Sequence, residues 1–479
     1  MDGRKRRTGT PDGAEALLEK IREGADLTAA EQARLAIRLS LPAVMAQITS
    51  IIMQYIDASM AGRLGAVKSA SIGLVSTSTW LFGGLCMAAA AGFTVQTAQL
   101  IGAGRYEKAR EVLRQALAAV FLFSVLLVLL GMAVSGPLPE WLGADAAIRE
   151  DAAAYFRIYV LSLPAVQLNL LAAGMLQCSG NMRTPGLLNV LMCVLDVLFN
   201  GLLIFPAHDW TWAGYAVRIP GAGMGVAGAA LGTALAQAVT AVWMLKVLTV
   251  DSPILGLSRK EPWRADRECI GKAVRIAVPV GLEHGLMNGA MIVTTGIVAP
   301  LGAVAIAANS FAVTAESLCY MPGYGIAEAA ATLVGQSMGA GRRELARRFA
   351  SLTVRLGMLV MAATGALMFL GAPLMMGLLT PDPTIRALGV RVLRIEAFAE
   401  PLFAASIVAS GAFRGAGDTL VPSILHFVSL WLVRLTLAVA LSRPLGLTGV
   451  WIAMCLELCF RGAVFLVRLR RRRWMDAMR

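Results

Sequence analysis

The sequence predicts an all-α integral membrane protein of twelve transmembrane helices arranged as two six-helix repeats, and three observations lead there. Composition comes first: 57% of the 479 residues are hydrophobic and 15% are charged, where soluble domains carry about 25% charged residues. Second, apolar segments of about 20 residues recur along the chain, the length that crosses a hydrocarbon core about 30 Å thick. Third, a shift of 237 residues, the interval from Pro42 to Pro279, lays the second half of the chain on the first.

The apolar segments place helices at 38–61, 69–101, 112–134, 152–179, 186–206 and 224–249, then at 271–299, 303–337, 348–379, 386–414, 420–442 and 446–469. This divides the chain into a cytoplasmic N-terminal segment (1–37), an N-lobe (38–250), a cytoplasmic inter-lobe linker (251–270), a C-lobe (271–470) and a cytoplasmic tail (471–479). The leader is polar and of mixed charge, without a small-residue cleavage site, so no removable signal peptide is expected. Its stretch "AEALLEKIREGADLTAAEQARLAIRLS" has the pattern of one or two amphipathic cytoplasmic helices.

A net charge of +13 raises the question of nucleic acid, and the placement of the basic residues answers it. Alternate loops hold Arg4 to Arg7, then Arg105, Lys108, Arg110 and Arg114, then Arg259, Lys260, Arg264 and Arg267, then Arg342, Arg343, Arg347 and Arg348, and finally Arg470 to Arg473. The opposite loops are poorer in basic residues, and one carries Glu140, Asp145, Glu150 and Asp151. By the positive-inside rule both termini are cytoplasmic, and an even helix count agrees. No nucleic-acid partner is expected. The seven cysteines form no CxxC pair and lie mostly in apolar segments, which argues against a disulfide frame or a zinc site.

Along the repeat, Leu64 to Val67 falls on Leu301 to Val304, Gln99 on Gln336, "GAGRYEKAR" on "GAGRRELAR", Arg157 on Arg394, Pro164 on Pro401 and Pro185 on Pro422. The register breaks only after the fifth helix, where 206–223 is longer than its counterpart. Parallel repeats related by an axis along the membrane normal are a transporter architecture that handles substrate between the halves; duplication also makes channels and scaffolds. Pro42, Pro164, Pro279 and Pro401 are expected inside helices, as hinges or as static bends. The "GAG" turns and the repeated Arg157 and Arg394 read as structural. "GMGVAG" (223–228) matches a dinucleotide fingerprint by letter, but no strand precedes it, so close helix packing explains it better.

Ionisable side chains inside membrane helices cost several kcal/mol and are functional candidates by default. Asp57 in the first predicted helix and Asp196 in the fifth are two such residues, and the repeat places Thr294 and Val433 opposite them. The scaffold is therefore duplicated and the acids are not, which puts an ion site in the first half alone. Asn200 stands four residues beyond Asp196, on the same helix face, and Asn189 lies near that stripe. In the second half Glu283, Glu316, Glu400 and Arg434 are candidate cleft residues, among further polar groups that include Glu396, His426, Glu457 and Arg461.

The stretches "LPAVMAQITSIIMQYIDASMAGRLGA", "GNMRTPGLLNVLMCVLDVLFNGLLIFP", "LGAVAIAANSFAVTAESLCYMPGYGIAEAAATLVGQSMGAG" and "GAFRGAGDTLVP" together resemble the multidrug and toxic compound extrusion (MATE) family, over residues 38 to 470. The resemblance implies a two-lobed antiporter that expels organic, often cationic and amphipathic compounds while protons or sodium ions flow inward. It is closer to the DinF-like branch, whose first-lobe ion site uses an aspartate on helix 1, an asparagine and an aspartate four apart on helix 5, and a threonine on helix 6. Asp57 in "IDASMAGRLG" and Thr233 in "GAALGTALAQ" match the first and last. The middle pair is exchanged: Asp196 stands where the branch has asparagine and Asn200 where it has aspartate. The expectation is that Asp57, Asp196, Asn200 and Thr233 surround a proton or a sodium ion, oxygen-rich as a hard cation prefers. The helix 7 glutamate and helix 10 aspartate of the NorM-like branch do not land on Glu283 or Glu400.

The expected protein is thus a monomeric secondary antiporter with no cofactor and no enzymatic activity, whose partners are small-molecule substrates and membrane lipids. The alternatives are a lipid-linked precursor flippase of the same wider superfamily, which needs a strongly cationic cavity, and a passive channel. An intramembrane enzyme would need a clustered His/Asp or Ser/His set, and His208, His284 and His426 lie far apart in the sequence.

Overall fold

The computed structural model describes residues 13–212, 215–257 and 266–476; the basic residues expected at 4–7 and at 259, 260 and 264 lie outside them. The first half runs through α1 (Gly13–Arg22), α2 (Ala29–Gly62), α3 (Ala66–Gly102), α4 (Tyr106–Val134), α5 (Leu138–Trp141), α6 (Ala146–Cys178), α7 (Arg183–Ile204) and α8 (Gly225–Lys246), which continues as a π-helical turn to Asp251. The second half runs through α9 (Arg267–Val298), α10 (Ala303–Gly339), α11 (Arg343–Leu379), α12 (Pro383–Glu396), α13 (Glu400–Ala416), α14 (Leu420–Phe427), a π-helical stretch Val428–Arg434, α15 (Leu435–Leu445) and α16 (Leu447–Arg470). Among the described residues, eleven helices are long and apolar enough to cross a membrane in one piece. The chain is a multi-pass membrane protein. Its outer surface is apolar where lipid must lie: Leu122, Leu187, Leu370 and Leu378 are all more than 60% exposed.

The tenth crossing explains the count. The sequence predicts one helix over 386–414, and the structure breaks it into α12 and α13 at Ala397–Ala399. Pro401, expected inside a helix, sits instead in the first turn of α13, where its missing N–H breaks no bond. Its repeat partner Pro164 lies inside an unbroken 33-residue α6, as do Pro42 in α2 and Pro279 in α9. Gly365 of α11 leaves room for the break: a Cβ there would lie 3.1 Å from the Ala397 carbonyl oxygen. A second difference is an antiparallel hairpin of β1 (Pro206–Trp212) and β2 (Tyr215–Ala222) in the segment where the repeat loses register. It qualifies the all-α expectation without entering the membrane-spanning set.

The N-terminal segment is also more integrated than expected. Thr28 and Glu31 form a reciprocal capping box, so the second amphipathic stretch begins α2 and runs on into the first span. α1 buries Leu17, Leu18 and Ile21 against Met182 of the first half and Leu333 and Phe349 of the second. Arg22 then donates to the Ser179 carbonyl (3.1 Å) and to Gln336 Oε1 (3.4 Å). α1 therefore touches both lobes at the arginine-rich side.

The two lobes pack closely at that same side. α2 lies on α10, and α9 on α3. Where α3 and α10 end, a Cβ on Gly102 would strike the Gln336 backbone and one on Gly339 would strike the Gln99 backbone. The "GAG" turns that follow need glycine for another reason, since Gly104 and Gly341 have φ of +71° and +73°. Small residues explain "GMGVAG" as well: Gly228 faces the Leu203 backbone of α7. Arg157 donates to Ser135 Oγ (3.3 Å) at the end of α4, and Arg394 to the Phe369 carbonyl (3.3 Å) inside α11, each tying its helix to the preceding span.

Candidate functional site

The face of α7 that carries Gly186, Asn189, Asp196 and Asn200 lies against α2. Glycine at 186 lets the helices approach, with its built Cβ 3.2 Å from the Pro42 carbonyl oxygen. Asn189 donates to the Ala46 carbonyl (2.9 Å) and to Ser50 Oγ (2.8 Å). Three turns on, Asn200 Nδ2 donates to Asp57 Oδ1 at 3.0 Å and to Asp196 Oδ2 at 3.1 Å. One amide thus bridges two carboxylates from two helices. Asp57 stands five residues from the end of α2, roughly 8 Å along the axis, so the site lies far from the arginine-rich side.

Burial makes this arrangement consequential. Asp196 is 0% and Asn200 1% exposed, and Asp196 Oδ1 and Asn200 Oδ1 have no hydrogen-bond partner among the described residues. Asp57 is half-buried, and two carboxylates sharing one donor with one of them fully buried repel each other strongly. A proton or a monovalent cation between them relieves that repulsion and satisfies the unpartnered oxygens. No group of three or more His, Cys, Asp or Glu converges as a metal site among the described residues, so a cation here would draw on two carboxylates and neutral oxygens. Thr233 is the expected member that makes no hydrogen bond to the bridge among the described residues. The contact from α8 is its neighbour Gly232, whose missing side chain makes room for the Asn200 amide.

The polar residues of the second lobe separate into two groups. The first is a connected network. Ser423 donates to Glu283 Oε2 (2.7 Å), and Glu283 Oε1 lies 3.6 Å from His426 Nε2. His426 Nδ1 lies 3.1 Å from Arg461 Nη1, and Arg461 Nε 3.1 Å from Glu457. Arg434 closes the chain with two bonds to Glu457 Oε2, at 2.9 and 2.6 Å. Glu283 and Arg434 are thus members of one buried ladder joining α9, the π-helical stretch and α16.

The second group has no such partners. Glu396 and Glu400 flank the break in the tenth crossing, are 0% and 1% exposed, and all four of their carboxyl oxygens lack a hydrogen-bond partner among the described residues. Glu316 of α10 is 5% exposed. Glu316 and Glu396 each stand thirteen residues from the start of their helices, Ala303 and Pro383, roughly 20 Å deep. The repeat places Tyr159 and Leu163 opposite Glu396 and Glu400, so this acidic set is also unduplicated. Sequence reasoning singled out Glu400 as a candidate cleft residue and left Glu396 among the further polar groups of the second half.

Two lobes of six crossings, each with its own unrepeated buried acids and joined at one side of the membrane, define the class: a two-lobed secondary-transporter fold. The MatE family model matches residues 42–202 and again 279–440, and the chain belongs to that family. It is 25% identical over 442 residues to a protein described as probable multidrug resistance protein NorM from Thermotoga maritima, covering 91% of this chain and 92% of that one. A protein of the same description from Deinococcus radiodurans is 28% identical, over 90% of this chain and 93% of its own. The fold is shared with a crystal structure of MATE in complex with MaL6, at a TM-score of 0.86 and 21% identity, covering 97% of this chain and 98% of that one.

Proposed function

We propose that the protein is an ion-coupled antiporter that exports organic, cationic or amphipathic compounds in exchange for protons or sodium ions, by alternating access between its lobes. It is a transporter and not an enzyme, it acts as a monomer in the inner membrane, and its termini and arginine-rich side face the cytoplasm. The N-lobe spans 38–250 and the C-lobe 271–470. The family and the names of the relatives support export of drugs, and the Asp57–Asn200–Asp196 bridge supports coupling. That bridge is the single observation on which the reading stands: it ties the first span to the fifth through groups whose charge changes when an ion binds. A bound ion shifts the access equilibrium only by its differential affinity for the two states, and a bridge between two helices supplies such a difference if the helices separate.

The flippase alternative needs a strongly cationic cavity, whereas Arg434 and Arg461 are both engaged by Glu457. The deciding experiment is efflux of a fluorescent organic cation from proteoliposomes under separately imposed sodium and pH gradients. Uphill efflux driven by one gradient, and lost in Asp57→Asn, supports the antiporter; leakage down the substrate gradient alone, indifferent to both ions, marks a passive channel and sinks it.

A further inference from the structure

At the arginine-rich side, a cavity of about 320 Å³ opens between the start of α2 and the first turns of α11, lined by Ala29 and Gln32 on one wall and by Arg347, Arg348, Ser351 and Arg355 on the other. The lining of α11 advances along one helix face. Arg347 is engaged by Glu344 at 2.8 Å, and Arg348 lies 3.9 Å from the same carboxylate. Arg355 has no hydrogen-bond or ion-pair partner among the described residues and is exposed. Three cations therefore face one carboxylate. The other wall is the start of α2, the positive end of that helix, where the Glu31 and Gln32 amides are taken by Thr28 and those of Ala29 and Ala30 have no acceptor within the helix.

The position along the membrane normal selects the ligand. One turn beyond Arg355, Leu359 begins a lipid-facing stripe that continues through Leu367, Leu370 and Leu374, each 68–75% exposed. On α2, Ile37, Leu41 and Met45 form a second stripe, 52–61% exposed, beginning two turns below the cavity. An anionic pocket-filler here has two apolar ridges running from it into the hydrocarbon. Arg347 falls on Arg110 and belongs to the duplicated scaffold, but Arg348 and Arg355 do not: the repeat sets Glu111 opposite Arg348 and Ala118 opposite Arg355.

We infer that this cavity is a binding site for the phosphate of an anionic phospholipid, its headgroup held by Arg348 and Arg355 and the α2 amides, its chains lying along α2 and α11. Basic pockets between membrane helices at the interface take such headgroups, and each basic residue near the surface contributes roughly a fivefold gain in affinity. Because α2 and α11 belong to different halves, the lipid bridges the lobes.

The test is binding of a tail-labelled phosphatidylglycerol to the full chain in detergent, with phosphatidylcholine and soluble sn-glycerol 3-phosphate as comparisons. The chain is expected to prefer phosphatidylglycerol, and Arg348→Gln with Arg355→Gln to weaken it roughly twentyfold, toward the phosphatidylcholine level. Lysine at both positions should retain most of the affinity, and Arg105→Gln with Lys108→Gln, a basic pair at the same side of the first lobe, should retain all of it. An unchanged double variant, or an equal loss in the Arg105 and Lys108 pair, overturns the site. Full displacement by millimolar glycerol phosphate overturns the lipid and leaves a soluble phosphate as the ligand.

Discussion

Gln99 and Gln336 make the same bond in opposite directions across the lobe interface: Gln99 donates to the Gly415 carbonyl at 3.1 Å, and Gln336 to the Cys178 carbonyl at 2.7 Å. All four residues are related by the repeat, Gln99 to Gln336 and Cys178 to Gly415. The lobes are therefore closed on each other at the arginine-rich side by a pseudo-symmetric latch, with Gly102 and Gly339 lying where the backbones meet.

A side chain at that contact should hold the latch open. Gly339→Val has no room against the Gln99 backbone, and loss of the two glutamine bonds alone is worth about 1 kcal/mol each. The expected outcome is exposure of Cys178, now 5% exposed. In a chain retaining Cys178 as its only cysteine, labelling by a water-soluble maleimide should rise at least about fivefold. Unchanged labelling would mean that the latch does not seal this side.

The latch shows what a sequence repeat does and does not convey. Matching Gln99 with Gln336 was legible from the chain, but equivalence is not contact; only the fold reveals that each reaches across to the other lobe. The twelve crossings and the Asp196–Asn200 face were legible because hydropathy and the four-residue spacing are local signals. The break at Ala397–Ala399 was not, since "RIEAFAEPLF" has ordinary helix formers on both sides and its proline sits in a position that a helix start tolerates. Nor was the Asn200 bridge to Asp57, a contact between residues 143 positions apart. Thr233, which the family motif selected, makes no hydrogen bond to the bridge among the described residues, and its neighbour Gly232 is what packs against Asn200.

The exchanged pair on α7 gives a sharp expectation. Asp196→Asn leaves Asp57 as the only carboxylate at the bridge and should reduce ion-driven efflux at least about fivefold. Asp196→Asn combined with Asn200→Asp restores one acid and one amide on the same face and should recover most of the loss. Equal activity of single and double variants in the proteoliposome assay would show that the site does not depend on a carboxylate at α7.

α1 should behave as a docked strap with its own local stability. Ile21 is 0% exposed and sits between the lobes, so Ile21→Ala is expected to cost about 2–5 kcal/mol of docking. Trypsin cleavage at Lys20 and Arg22 should accelerate at least about tenfold, while α2, held by its own capping box at Thr28, keeps the remaining fold intact. Slow cleavage equal to that of the unaltered chain would show that Ile21 contributes nothing to holding α1.

The buried glutamates of the second lobe allow one chemical change to be tested in two settings. Glu457 is clamped by Arg434 and Arg461 and accepts from Ser429. Glu457→Gln removes the charge both arginines need and strands the buried Arg461 and the half-buried Arg434, which costs about 3–5 kcal/mol. Glu400 and Glu396 have no ion-pair partner to strand among the described residues. Glu400→Gln and Glu396→Gln keep the volume and break no ion pair, so the unfolding midpoint in detergent should stay or rise, since an unpartnered buried carboxyl is itself unfavourable. Ion-driven efflux separates stability from function: if the acids at the break take part in the transport cycle, both variants will be stable and slow. A fall in midpoint for Glu400→Gln as large as that for Glu457→Gln would show that Glu400 has a structural partner and would end the comparison in favour of a purely architectural role.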